Sequence, residues 1–206
     1  MKSFSKLFAF LFILFPIYTS CNFEKEVVQG NYQITMEEFS IGDYSEIEVN
    51  LPAEVIYQQY SDSLPYLQIN ADQNIFSHLN IRVENHRLIV EAKPDSIISP
   101  TKLVIYTTST SLKTIDHNSE GSIRLAGEVN SLDLTMKLNG SGEIRTDSLL
   151  CHKLQIDMNG TGNIALTGAA SQSMFSITGS GNIDVSNFFS VDTNSEITGS
   201  GEITQS

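Results

Sequence analysis

Few side chains in this sequence are of a type and spacing that would do chemistry. Cys151 is followed by His152, the pairing that an activated thiolate would use. Neighbours on a strand face opposite ways, so in an extended segment that imidazole cannot reach the sulfur. A small, half-buried thiol is the expectation. The four histidines, His78, His86, His117 and His152, lack the spacing of a metal site. Gly179-Ser180-Gly181-Asn182-Ile183-Asp184 has the look of a calcium-binding β-roll. Such rolls repeat every ~9 residues and need an oxygen ligand where Ile183 stands. The Gly-x-Gly pairs lack a third glycine and open no amphipathic helix, so no nucleotide is expected. The sequence thus predicts neither a metal nor a cofactor.

The same glycines have another meaning. Four segments carry nearly one phrase: 139–144 (NGSGEI), 159–164 (NGTGNI), 178–183 (TGSGNI) and 198–203 (TGSGEI), with 118–123 (NSEGSI) as a degenerate first copy. Nine of the 13 glycines fall in these phrases, so glycine is placed by position rather than by composition. Aligned on the closing isoleucine, the copies form columns. Six residues before it stand His117, Leu138, Met158, Ile177 and Ile197; eight before it Ile115, Met136, Ile156, Phe175 and Ser195. Two after it stand Leu125, Thr146, Leu166, Val185 and Gln205. Mostly apolar residues at steps of two are strand periodicity on both sides of each glycine phrase. Gly127, Ser148, Gly168 and Asn187, four after it, mark a second corner. The Asn and Thr that open each phrase can form a ladder between stacked corners.

The class predicted is all-β: a right-handed parallel β-helix with coils of about 20 residues. An antiparallel meander competes, because Asn-Gly between apolar alternations is also a hairpin signal. Residues 32–115 are less regular, with strands expected at 47–51, 55–60, 66–69, 80–83, 88–92 and 103–107. Asn85-His86 reads as a tight turn, and Asp72–His78 as a helical turn capped by Asp72. No linker separates this part from the repeats, so residues 32–206 read as one domain.

The repeat places Arg124 and Arg145 in one outward column, with Ser122 and Glu143 two residues away. A polysaccharide lyase or glycoside hydrolase would need a carboxylate pair or an arginine-assisted base on such a face. A solvated ridge with a surface ion pair fits the same residues. Phe188 and Phe189, at an expected corner, are the other candidate ligand contacts; simple corner packing is their alternative.

Removing residues 1–20, which hold two Lys and no acid, leaves 24 acidic against 10 basic residues. That balance excludes nucleic acid as a partner. The removed stretch reads as an export signal: Lys2 and Lys6, then the apolar run 7–17, too short to span a membrane. Tyr18-Thr19-Ser20-Cys21 resembles the box of a bacterial lipoprotein signal, where the thiol takes a diacylglycerol and the chain is cut before it. The resemblance implies lipidation at Cys21, a tether over 21–31 and membrane attachment without a spanning helix. Tyr18 stands where such boxes usually carry Leu.

The Gly-Ser-Gly-x-Ile phrase, the approach Ser111-Leu112-Lys113-Thr114-Ile115, Ile47-Glu48-Val49 and Leu67-Gln68-Ile69-Asn70-Ala71-Asp72 together resemble the head GIN domain family. The similarity runs over roughly residues 39–206. It implies a pectin-lyase-like right-handed β-helix and the family's autotransporter-adhesin label, with no agreed active site to carry over. The expected function is a non-enzymatic adhesion or surface-binding module, with a lyase or hydrolase as the alternative. The expected place is the cell envelope, as an outer-membrane lipoprotein facing periplasm or surface. Glycan or another envelope protein is the expected partner.

Overall fold

The computed structural model describes residues 25–60 and 64–205. Segment 1–20 and Cys21 lie outside the described residues. The described strands in chain order are β1 (Glu26–Gln29), β2 (Ile34–Phe39), β3 (Glu46–Val49), β4 (Glu54–Gln59), β5 (Tyr66–Asp72), β6 (Leu79–Glu84), β7 (Arg87–Ala92), β8 (Ser96–Ser99), β9 (Leu103–Ser109) and β10 (Thr114–His117). The repeats follow as β11 (Ser122–Leu138), β12 (Glu143–Gly160), β13 (Asn163–Gly179), β14 (Asn182–Gly199) and β15 (Glu202–Thr204).

Every pairing among β10–β15 is parallel, with Ile123, Ile144, Ile164, Ile183 and Ile203 in one register line. That excludes the meander: the repeats form a β-solenoid. The columns point inward as their periodicity requires. Ile115, Met136, Ile156 and Phe175 are buried, as are His117, Leu138, Met158 and Ile177. The last coil is the exception. There the inward positions become Ser195 and Gln205, both exposed, and Ile197 is 44% exposed. Polar residues thus replace apolar ones at two inward positions of the last described coil.

The corner is built by close stacking. The Gly140 carbonyl accepts from the N–H groups of Thr161 (3.0 Å) and Gly162 (3.1 Å), and that of Gly160 accepts from Ser180 (3.0 Å). Gly160 sits at φ +154, and a Cβ there would lie 2.2 Å from the Gly140 oxygen. Both facts demand glycine. The asparagine ladder is present: Asn159 donates to Asn139 (3.0 Å), Asn139 to Asn118 (2.8 Å) and Asn118 to Asn50 (2.8 Å).

That last rung reaches into the first half, where a coil lies hidden. Ile47 and Val49 stand eight and six residues before Val55, and Tyr57 two after it, the same offsets as in the repeats. β3 pairs with β10, aligning Ile47 with Ile115 and Val49 with His117. β4 pairs with the start of β11, aligning Val55 with Ile123 and Tyr57 with Leu125. Beneath this coil lie β7 and β9, which align Leu88 with Ile47 and Ile105 with Val55. The chain thus makes one coil, leaves to build the layer beneath it, and returns at β10 to continue the stack. Antiparallel β6 covers the outer edge of β7, and β5 with β2 covers that of β9.

All six strands expected before the repeats are present, their ends moved by at most three residues. Asn85 and His86 take φ of 51° and 62°, the left-handed pair of a tight hairpin between β6 and β7. β1, β2 and β8 were not foreseen; β1 begins inside the stretch 21–31 expected to be tether and pairs with β8.

Asp72 corrects the expected helical cap. Only a short 3-10 turn forms at Phe76–His78, without a side-chain cap. The buried Asp72 carboxylate instead accepts from the N–H groups of Tyr32 (2.7 Å), Thr101 (2.7 Å) and Lys102 (3.2 Å) and from the Thr101 hydroxyl (2.7 Å). Burial pushes its pKa up, but these donors outweigh that and hold it below the usual carboxylate value. The tie needs Gly30 alongside, since a Cβ there would lie 2.3 Å from an Asp72 oxygen.

Candidate functional site

One wall of the stack runs unbroken through both halves. Its strand order is β2, β5, β9, β4, then the opening segments of β11, β12, β13 and β14, then β15. Inward residues fill the core, so the alternate residues form an outer face in register rows. One row reads Glu38, Gln68, Tyr106, Ile56, Arg124, Arg145. The two arginines therefore do share a column, and it continues into an aromatic and amide-rich region of the first half.

At the repeat end of this row the charges hold one another. Arg124 Nε and Nη2 bind both oxygens of Asp147 at 2.9 and 2.8 Å, and the Gly127 N–H adds a 3.1 Å bond. The arginine keeps the Asp147 carboxyl below its usual range and its own pKa above. Arg145 Nε lies 2.5 Å from Glu143. The Asp147 carboxylate, held in its charged form by Arg124, is a poor proton donor at neutral pH. Beside this ridge a polar hollow of about 590 Å³ is lined by Glu54, Ser122, Glu143, Arg145 and Asn163 among others.

At the other end Tyr66, Thr108 and Gln58 form one row across β5, β9 and β4, next to the row of Gln68, Tyr106 and Ile56. The short Thr108 between two longer side chains leaves a cleft of about 300 Å³, also lined by Asn70. Tyr66 and Tyr106 are each 36% exposed there. The Tyr66 hydroxyl donates to Gln68 and stands 3.4 Å from Glu38; Tyr60 donates to Gln58 Oε1 (3.1 Å). The sequence reading missed this cleft. Its signal was the alternation Tyr66-x-Gln68-x-Asn70, in which every outward position carries an aromatic or amide group.

Phe188 and Phe189 diverge. Phe188 is 9% exposed and aligns with Gly168, while Phe189 is 68% exposed. Both border a hollow of about 180 Å³ beside the last described coil, also lined by Phe175 and Val185. Cys151 is half-buried, and burial with nearby Asp133 pushes its pKa up to about 11, which keeps the thiol protonated. His117 lies in the core, where burial lowers its pKa; its Nε2–H donates to the Gly121 carbonyl at 2.8 Å. No group of three His, Cys, Asp or Glu suited to a metal occurs among the described residues.

The sequence model of a family described as "Putative auto-transporter adhesin, head GIN domain" matches residues 43–205. Among solved structures, a "putative adhesin" from Bacteroides fragilis superposes with a TM-score of 0.82 at 23% identity, over 86% of this chain and 82% of that one. Another from Parabacteroides merdae gives 0.66 at 24% identity, over 86% and 82%. A "putative lipid binding protein" from Parabacteroides distasonis gives 0.70 at 21% identity, over 88% and 100%. At these identities the likeness speaks for the fold. No functionally curated protein matches the chain.

Proposed function

Because the chain belongs to the head GIN domain family, we propose that it is a non-enzymatic binding module displayed on the cell envelope. The observation that carries this reading is the outer face: one sheet, continuous through both halves, whose two arginines are held by carboxylates while amides and tyrosines line an open cleft. Such a face offers many weak polar contacts, and copies side by side on a membrane would add them by avidity. The sequence around Cys21 supports a lipid tether, which would hold the solenoid to an outer membrane.

Two experiments test it. Cys21→Ser should leave the chain unprocessed or unanchored, read by membrane fractionation; wild-type chain in the soluble fraction with residues 1–20 intact would reject the tether. Incubation of the wild-type chain with acidic and neutral glycans should give saturable binding without product. Sustained turnover abolished by Glu143→Gln would overturn the binding reading in favour of a lyase or hydrolase.

A further inference from the structure

We propose that the Tyr66–Tyr106 cleft is the ligand site and that it takes a neutral saccharide; this rests on the binding-module reading above. Four observations lead there. First, the cleft is framed by two half-exposed tyrosines, whose faces suit the apolar C–H face of a pyranose. Second, amide donors surround them. Gln58 and Gln68 each accept a tyrosine hydroxyl through the side-chain oxygen. The Gln58 and Asn70 amide nitrogens have no acceptor among the described residues, so they are available to sugar hydroxyls. Gln68 Nε2 reaches Asn70 only at 3.4 Å.

Third, the charge is wrong for an ionic ligand. No Lys or Arg lines the cleft, Glu38 faces the Tyr66 hydroxyl, and Arg124, beside the lining Ile56, is already held by both oxygens of Asp147. Anionic glycans and phosphorylated ligands would meet no unpaired cation in the cleft lining. Fourth, the strands have no free edge. β5 lies between β2 and β9, β9 between β5 and β4, and β4 between β9 and β11. An extended peptide adding a strand has no backbone to pair with here, so recognition falls to side chains. The columns of Tyr66 and Gln58 stand roughly 10 Å apart across two strand spacings, room for a flat ring over Thr108. All of these groups sit on a fully paired sheet, so little ordering is needed on binding.

The test uses the detergent-solubilised full chain and three probes, maltohexaose, cellohexaose and N-acetylchitohexaose, with heparin as an anionic comparison. Isothermal titration should give saturable binding of at least one neutral hexasaccharide and none of heparin. Tyr106→Ala and Tyr66→Ala should each weaken it by about tenfold or more, with unchanged thermal midpoints. Tyr106→Phe should retain most of it, and Arg145→Ala all of it. Neutral-sugar binding untouched by both tyrosine variants would overturn the site and leave the binding module standing. Heparin binding without neutral-sugar binding would overturn the ligand class. Product release from any probe would instead strike at the underlying reading.

Discussion

The first half and the repeat half use the same inward columns but pay different attention to their corners. From residue 139 on, one corner of each coil is a glycine phrase, because successive turns come so close that a Cβ at Gly160 would overlap the Gly140 oxygen. The coil formed by β3 and β4 turns instead through Leu51-Pro52-Ala53, with Asn50 alone kept as the ladder rung. Its other neighbour, the β7–β9 layer, is built by a chain that departs and returns. The repeat half is therefore a uniform stand, with like residues stacked in register. The first half carries long excursions, and there alone tyrosines and amides of distant segments meet on the outer face. Uniform stacking gives rigidity; the break in uniformity gives a site.

The largest effects are expected in the core, which both halves share. Ile164→Asp should unfold the chain, since an unpaired buried carboxylate costs several kcal/mol. Val55→Asp should be as damaging, because Val55 and Ile164 occupy one column and are equally buried. Asn163→Asp, outward in the same strand, should shift the thermal midpoint little. A mild Val55→Asp beside a severe Ile164→Asp would remove the hidden coil.

Next in size are the corners. Gly160→Val combines a left-handed φ with overlap against Gly140 and should cost about 3 kcal/mol or more by denaturant titration. Gly42→Ala, whose added methyl meets nothing within 4 Å, should be neutral. A tolerated Gly160→Val would point to a different corner geometry.

The tie specific to the first half follows. Asp72→Ala leaves the N–H groups of Tyr32, Thr101 and Lys102 without their acceptor, and about 2–4 kcal/mol is expected by the same titration. Loss confined to protection of β1 and β2 amides would mean that Asp72 holds only the edge.

The smallest effect is a pH dependence. Burial lowers the His117 pKa in the fold, so the unfolded chain binds the proton more readily. Stability should be flat above the unfolded value of about 6.5 and fall as pH drops below it, by up to about 1.4 kcal/mol per unit. His117→Leu, matching Leu138 one coil on, should remove that slope between pH 6.5 and 5. An unchanged slope would assign it to another group.

How far the sequence was readable follows the same division. The repeated phrase made parallel stacking and the columns legible, because close approach forces glycine and Asn at fixed intervals. The hidden coil obeys the same offsets but is hard to see in the sequence, since Pro52 and Ala53 replace the glycines and residues 60–113 intervene before the stack resumes at β10. Arg124 and Arg145 were legible as a column, and so was Glu143 beside Arg145, but not the partner of Arg124, because Asp147 reaches it from the neighbouring coil. The tyrosine cleft was illegible for a topological reason. Tyr66 and Tyr106 are brought together by the antiparallel pairing of β5 with β9, which alternation alone does not specify.

The most direct test of a uniform stand carrying a localised site is an amide chemical-shift map of the full chain titrated with the neutral hexasaccharide that binds. Perturbations should concentrate on 54–58, 66–70 and 104–108 and leave residues 143–205 in place. Shifts centred on Phe189 or on the Arg124–Arg145 ridge, with the tyrosine strands silent, would contradict it.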